Sequence, residues 1–182
     1  LSNFAPAVVN FGGLYFPTVE NAFQAAKSLT SLGRQEFVKL TPSAAKKLGR
    51  RIRLRLDWND VKDAVMFSLL MQKFRYGTRA YATLMSTGDG HICEGNTWHD
   101  NYWGDCSCPR CATIEGKNVM GKLLTEIRDM PLLEKAFREG TADRWAFILP
   151  EPWEGELSKN DRLCADIIQG YHVDGILVMH KG

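Results

Sequence analysis

Apolar positions recur at helical spacing along most of this chain and alternate with polar ones in only a few places. Pro17-Thr18 announces the first helix, because a Thr hydroxyl caps the free amides of a first turn. The pattern carries that helix from Thr18 to about Leu29, with Val19, Ala22 and Ala26 packing one side. Glu20, Phe23, Gln24 and Lys27 share the other side. Gly33 is expected to break the helix, and a second piece follows from Gln35 to Leu40. Thr41-Pro42-Ser43 then opens a third, which ends near Gly49. The longest helix is predicted over Asp60 to Tyr76, behind an Asp57-Trp58-Asn59 start and with Val61, Val65, Leu69 and Phe74 on a broad apolar face. Thr78 to Met85 and Lys117 to Arg128 are further helices, and Pro131 restarts one to about Glu139.

Period-two patterning is scarcer. Leu14-Tyr15-Phe16 reads as a short strand behind a Gly12-Gly13 turn, and Ile92-Cys93-Glu94 as a brief strand or extended piece. Arg50 to Leu56 alternates Arg with Ile or Leu, which predicts an extended segment with arginines on one face and a half-buried apolar face opposite. Those arginines either meet phosphates, whose oxygens match the guanidinium fork, or form a solvated face. Trp145 to Leu149 and Gly175 to Met179 read as strands around a helix near Asp161 to Gln169. The expected class is α+β, predominantly α: a main domain over 1–130, with a small α/β C-terminal extension over 131–182 packed on the same core.

Composition narrows the classes. With 182 residues, 45% hydrophobic and 24% charged, the chain has the make-up of an ordinary globular domain able to bury a core. A formal net charge of +2 demands no polyanionic partner, so any basic patch must be argued locally. No apolar run approaches a membrane span, so no membrane partner is expected.

Gly95 to Gly116 has neither period, yet it gathers Asn96, Trp98, His99, Asp100, Tyr102, Trp103 and three cysteines. Large rings on a polar loop either plug a core or form a stacking surface for a planar ligand, and at least one of Trp98 and Trp103 is expected to plug. Cys106, Cys108 and Cys111 are crowded as Cys-x-Cys-x-x-Cys within a total of five cysteines, a poor disulfide framework and a better thiolate cluster for metal. A structural zinc needs a fourth ligand; Cys93, His91 and His99 are candidates, with Cys93 the one assigned. Free thiols and an iron–sulfur cluster are the alternatives. Cysteine usage of this kind suits a reducing compartment, hence a cytoplasmic location.

Glu20 lies in a first turn, where the helix dipole favours the carboxylate, so it is expected to be ionised near neutral pH. That suits a general base or a stabiliser of developing positive charge. The plainer alternative is a solvated acid that favours its helix.

With these residues in view, the chain resembles the NADAR (YbiA-like) family. The matching positions are Leu1-Ser2-Asn3-Phe4, Pro17-Thr18-Val19-Glu20 with Phe23-Gln24-Ala25-Ala26-Lys27, and Leu48-Gly49-Arg50. They continue through Asp57-Trp58, Val61-Lys62, Lys73-Phe74, Thr87-Gly88-Asp89, Glu94, Asp100 with Tyr102-Trp103-Gly104, and Gly116-Lys117-Asn118 with Leu123-Leu124. Matches spread over residues 1 to 130 are more specific than any one motif. The cysteine cluster occurs in only some relatives, and the tail after Met130 lies outside the resemblance.

The resemblance implies a YbiA-like fold and an N-glycosidase that cleaves ribose C1′–N bonds without a catalytic cofactor. Two substrate classes are implied: ADP-ribose on guanine, in nucleotide or DNA, and phosphoribosylamino-pyrimidine intermediates of riboflavin synthesis. The Asn96-x-Trp98-His99-Asp100 loop is more similar to the first branch. On this footing Glu20 would activate a water and offset positive charge, with Asp100 or Glu94 as the next carboxylate. Trp98 or Trp103 would stack on the base; Arg50, Arg51, Lys27 and Lys62 would meet phosphates; Asn3, Phe4, Gln24 and Asn118 complete the expected substrate contacts. Two rivals stay open: a non-catalytic ADP-ribose or nucleotide-binding module, and a zinc-stabilised interaction domain.

Overall fold

A computed structural model describes residues 1–138. The strands read at Trp145–Leu149 and Gly175–Met179, and the helix at Asp161–Gln169, lie outside the described residues. The order is β1 (Val9–Phe11), β2 (Leu14–Phe16), α1 (Val19–Ala25), α2 (Ser31–Gln35), α3 (Pro42–Gly49), α4 (Trp58–Lys73), α5 (Arg79–Met85), β3 (Gly95–Asn96), β4 (Asp105–Cys106) and α6 (Val119–Arg138). This is the predominantly helical α+β class that the patterning predicts.

The chain is built around α1, all of whose residues are buried. Thr18 caps it as expected, its Oγ1 accepting from the Asn21 amide at 3.2 Å and donating to Asn21 Oδ1 at 2.6 Å. Asn21 in turn donates to the carbonyls of Phe37 and Leu40, at 2.9 and 2.8 Å, so the cap also pins the segment that leads into α3. Helices α3 and α4 pack on α1, while β1 and β2 lie against α1 and α4. Those two strands form an antiparallel hairpin with Val9 opposite Phe16 and Phe11 opposite Leu14. Its two-residue turn needs positive φ, which Gly12 (58°) and Gly13 (79°) supply. On α4, Val65, Leu69 and Leu70 are fully buried, and α6 closes the core with Met120, Leu124 and Ile127.

Several boundaries differ from the periodic reading. Helix α1 stops at Ala25, and α2 starts at Ser31 because the Thr30 hydroxyl accepts from the Gly33 amide at 3.1 Å. Gly33 therefore sits inside α2, where a break was expected, and the piece expected over Gln35 to Leu40 is turn after Gln35. Pro131 restarts nothing: α6 is one helix from Val119 to Arg138. Ile92-Cys93-Glu94 is no strand, and the extended residues next along are β3, paired in parallel with β4.

The largest departure is Arg50 to Leu56, which pairs with no strand; Ile52 packs on the core and Arg51 and Arg53 are exposed as expected, but the faces are inverted over Leu54 to Leu56. Arg55 is buried, whereas Leu54 and Leu56 are 47% and 94% exposed. The Arg55 amide donates to the Lys27 carbonyl at 2.9 Å, and its guanidinium takes both oxygens of Asp57, at 2.5 and 2.7 Å. Without a neighbouring strand nothing enforces period-two alternation, and a bidentate ion pair at the foot of α4 outweighs the burial of a leucine.

Candidate functional site

Three segments converge at the start of α1. The loop Leu1–Phe4 crosses it, with the Asn3 carbonyl accepting from the Glu20 amide at 3.1 Å. Helix α3 approaches so closely that a Cβ on Gly49 would lie 1.9 Å from Gln24 Oε1. The third segment is Tyr102-Trp103: the Trp103 ring meets Phe23 of α1, and the Tyr102 hydroxyl donates to Asp63 of α4.

Glu20 is 6% exposed. Gln24 Nε2 donates to its Oε1 at 2.9 Å, one turn along the helix. Burial pushes the Glu20 carboxyl above its ordinary range; the Gln24 hydrogen bond and the charges of Lys46, Lys27 and Arg50 pull it partly back. The helix start alone predicts ionisation, and burial works in the opposite direction. Lys27 mirrors it: burial lowers its ammonium, Glu20 restores some of the shift, and Arg50 and Lys46 lower it further. Its Nζ donates to the Gly49 carbonyl at 3.3 Å. A buried carboxylate thus faces three cations, from the turn after α1, from α3 and from the turn after α3.

Rings wall this centre. Phe23, one turn beyond Glu20, meets Trp58 at 5.0 Å between centroids and Trp103 edge-on at 5.4 Å. Lys27 Nζ lies 5.8 Å from the Trp58 ring, and Lys46 Nζ 5.6 Å from Phe4. Asn3 Oδ1 and Gln24 Oε1 are buried and have no hydrogen-bond partner. Each is a buried acceptor open to a donor.

Glu20, Gln24, Lys27, Arg50, Asn3 and Phe4 are thus brought together. Trp103 joins them by packing on the core edge, as one of the two indoles was expected to do, and Trp98 stands 60% exposed on the loop. Lys62 reaches only the neighbourhood, its Nζ 3.8 Å over the Tyr102 ring. Arg51 is exposed, and its amide bonds back to Leu48.

Two expected contacts are engaged elsewhere and a third faces solvent. Asp100 Oδ1 accepts from the amides of Tyr102 (3.1 Å) and Trp103 (2.9 Å), so it folds the turn that carries Trp103. Asn118 accepts from the Glu94 amide at 3.0 Å and donates to the Ile92 carbonyl at 2.8 Å, which braces residues 92–94. Glu94 itself is exposed. The residue that sequence reasoning missed is Lys46: on a Lys-Lys pair in a short helix, no local signal separates the lysine that turns inward.

A second cluster lies on the loop. His99 and Cys106, Cys108 and Cys111 place their ligand atoms within 4.8 Å of one another, and the three cysteines are buried. His99 Nδ1 is 3.1 Å from Cys108 Sγ and 3.5 Å from Cys111 Sγ. Cys93, the assigned fourth ligand, is exposed and outside the group; His99, one of its alternatives, takes the place. Asn96 explains why: its Oδ1 accepts from the amides of Trp98 and Asp100, and its Nδ2 donates to the Asp100 carbonyl, curling the loop and turning His99 onto the thiols.

Comparison with known proteins now bears on this geometry. A family model described as the NADAR domain matches residues 1–130. The chain is similar to an N-glycosidase YbiA of Shigella boydii, 36% identical over 74% of this chain and 82% of that protein, and equally to its Escherichia coli counterpart. It is 30% identical to a riboflavin biosynthesis protein of Vibrio vulnificus over 71% of this chain and 34% of that much longer protein. The NMR structure of the E. coli protein YbiA superposes with a TM-score of 0.62, at 36% identity, over 74% of this chain and 78% of that one. Among the described residues no helix is long and apolar enough to cross a membrane.

Proposed function

Because this chain belongs to the NADAR family and is a hydrolase acting on N-glycosyl bonds, we propose that it removes ADP-ribose from guanine, in a nucleotide or in DNA, at the Glu20 centre. The observation that carries the reading is Glu20 itself: a carboxylate nearly shut away from solvent, steadied by Gln24, ringed by Lys27, Lys46 and Arg50, and flanked by aromatic faces.

The reaction breaks the ribose C1′–N bond. As that bond stretches, positive charge grows on the sugar ring, and a fixed carboxylate in a water-poor site offsets it more strongly than it would in bulk water. Glu20 also takes a proton from the water whose oxygen bonds C1′, while the departing nitrogen gains a proton. Gln24 holds one Glu20 oxygen, leaving the other for the water. Asn3 Oδ1 and Gln24 Oε1 accept from ribose hydroxyls, Trp98 or Trp103 stacks on the base, and Lys27, Lys46 and Arg50 meet phosphates. Asp100 and Glu94 contribute through the loop. The exposed Trp98 and the loop Asn96-x-Trp98-His99-Asp100 favour an ADP-ribosylated guanine over a smaller pyrimidine.

No cofactor enters this chemistry. The donor set of His99 and the three cysteines fits zinc, which with four protein ligands would be structural, and reduced thiols of this kind suit the cytoplasm. The relatives named for riboflavin biosynthesis support a second substrate, phosphoribosylamino-pyrimidines. Both are tested by one assay: the chain is offered an ADP-ribosylated guanine oligonucleotide and a phosphoribosylamino-pyrimidine. Released ADP-ribose that disappears with Glu20→Gln upholds the first reading; release of ribose 5-phosphate alone replaces it with the second.

A further inference from the structure

We infer that His99, Cys106, Cys108 and Cys111 form a zinc site whose occupancy sets the Trp103 wall of the Glu20 centre, so that the metal governs substrate binding without touching the reacting atoms. The second half of this inference rests on reading the Glu20 centre as the active site.

The donors come first. Tetrahedral zinc holds sulfur at about 2.3 Å and imidazole nitrogen at about 2.0–2.1 Å, which puts neighbouring ligand atoms roughly 3.5 Å apart. His99 Nδ1 already stands 3.1 and 3.5 Å from two of the sulfurs, and all four ligand atoms fall within 4.8 Å. Three thiols cannot all pair in disulfides, whereas one divalent ion uses all of them and the imidazole. Binding is balanced simply: three S–H bonds become three zinc–sulfur bonds, and three protons pass to solvent.

The coupling follows from what lies next in the chain. Strands β3 and β4 pair over two residues each, too short a ladder to hold the loop 95–116 alone. Cys106 is in β4, and His99 directly precedes Asp100. His99 has a φ of 68°, in the left-handed region that histidine seldom occupies, so ligation has backbone strain to offset. Asp100 takes the Tyr102 and Trp103 amides, and the Trp103 ring abuts Phe23, one turn from Glu20. Metal, His99, Asp100, Trp103 and Phe23 make one continuous line of contacts into α1.

The test uses the full chain purified without added metal. Elemental analysis is expected to find about one zinc per chain, and cobalt(II) exchanged in its place should give the intense visible absorption of a tetrahedral thiolate site. Stripping the zinc with a chelator should raise KM for the ADP-ribosylated guanine oligonucleotide by about ten-fold or more while kcat changes little, because a misplaced wall weakens positioning. Zinc should restore KM. His99→Cys, which keeps four ligands, should retain metal; Cys93→Ser should change neither metal content nor KM. Bound iron, or no metal, overturns the zinc assignment. An unchanged KM after stripping, or global loss of helix by circular dichroism, overturns the coupling to the loop and leaves the Glu20 reading intact. A zinc-loaded chain without N-glycosidase activity fails the Glu20 reading and leaves the metal site standing.

Discussion

At the scale of single residues, Glu20 sets function against stability. Its carboxyl is raised by burial, so the folded chain holds that proton more tightly than the unfolded chain does. The folded state therefore loses stability as pH rises from the ordinary carboxyl value of 4.5 through the raised one, and carries the full cost near neutrality. Glu20→Gln keeps the shape and the Gln24 hydrogen bond and removes that cost. The variant is expected to melt at a higher temperature at pH 7 while kcat falls by roughly 10²–10⁴, as loss of a general base should cause. A lower melting temperature with normal turnover would take Glu20 out of the role. In the parent protein the acid limb of kcat/KM should lie above 4.5, set by the same group.

Lys73 makes a comparable case. It is 4% exposed, its ammonium donates to the carbonyls of Leu1 and Ser2, and burial lowers it from 10.5 to about 8. Between these two values the unfolded chain binds more protons, so stability gains from this group as pH rises from about 8 to 10.5. Lys73→Met should abolish that gain, read as the difference between parent and variant in denaturant midpoints across the window. Parallel curves would show that the buried amine carries no such penalty.

At the scale of elements, caps decided more than periodicity. Helices α3 and α5 were legible to within a residue because Thr41 and Thr78 act on amides only three positions on. Arg50 to Leu56 was misread because alternation has meaning only beside another strand. The correction predicts opposite costs from neighbouring residues. Arg55→Ala strands the Asp57 carboxylate and should destabilise the fold by roughly 2–3 kcal/mol, whereas Leu56→Ser should change it by no more than about 0.5 kcal/mol. Chemical denaturation of the two variants measures both, and a larger loss at Leu56 would restore the strand reading. The loop 95–116 shows the same limit: its residue types pointed to three clustered thiols and large rings, but not that Asp100 folds a turn or that Asn118 braces residues 92–94.

At the scale of the molecule, α1 is the hub of the N-terminal part, since the hairpin, α3 and α4 all pack on it, while α6 joins through α4. The Glu20 centre draws on Asn3, α1, α3 and Trp103, all within residues 1–130, the span that the family model matches. We propose that this span together with the rest of α6 is a self-sufficient catalytic domain. A chain cut after Arg138 should keep kcat/KM within about three-fold and unfold in one cooperative step, as single domains of this size usually do. A loss beyond a hundred-fold with the helical circular dichroism intact would instead give residues 139–182 a place at the site.

The amino-acid sequence by itself determined the Thr-capped starts of α1, α3 and α5, the apolar faces of the core, the first-turn position of Glu20 and the crowding of three thiols. Each depends on residues a few positions apart, where backbone geometry sets the outcome. Only the tertiary structure decided that Glu20 is buried and its carboxyl raised, that Lys46 turns inward, that Arg55 and not Leu56 goes inside, and that His99 displaces Cys93 beside the thiols. Desolvation and ligand convergence depend on segments tens of residues apart, and no local pattern carries their energies.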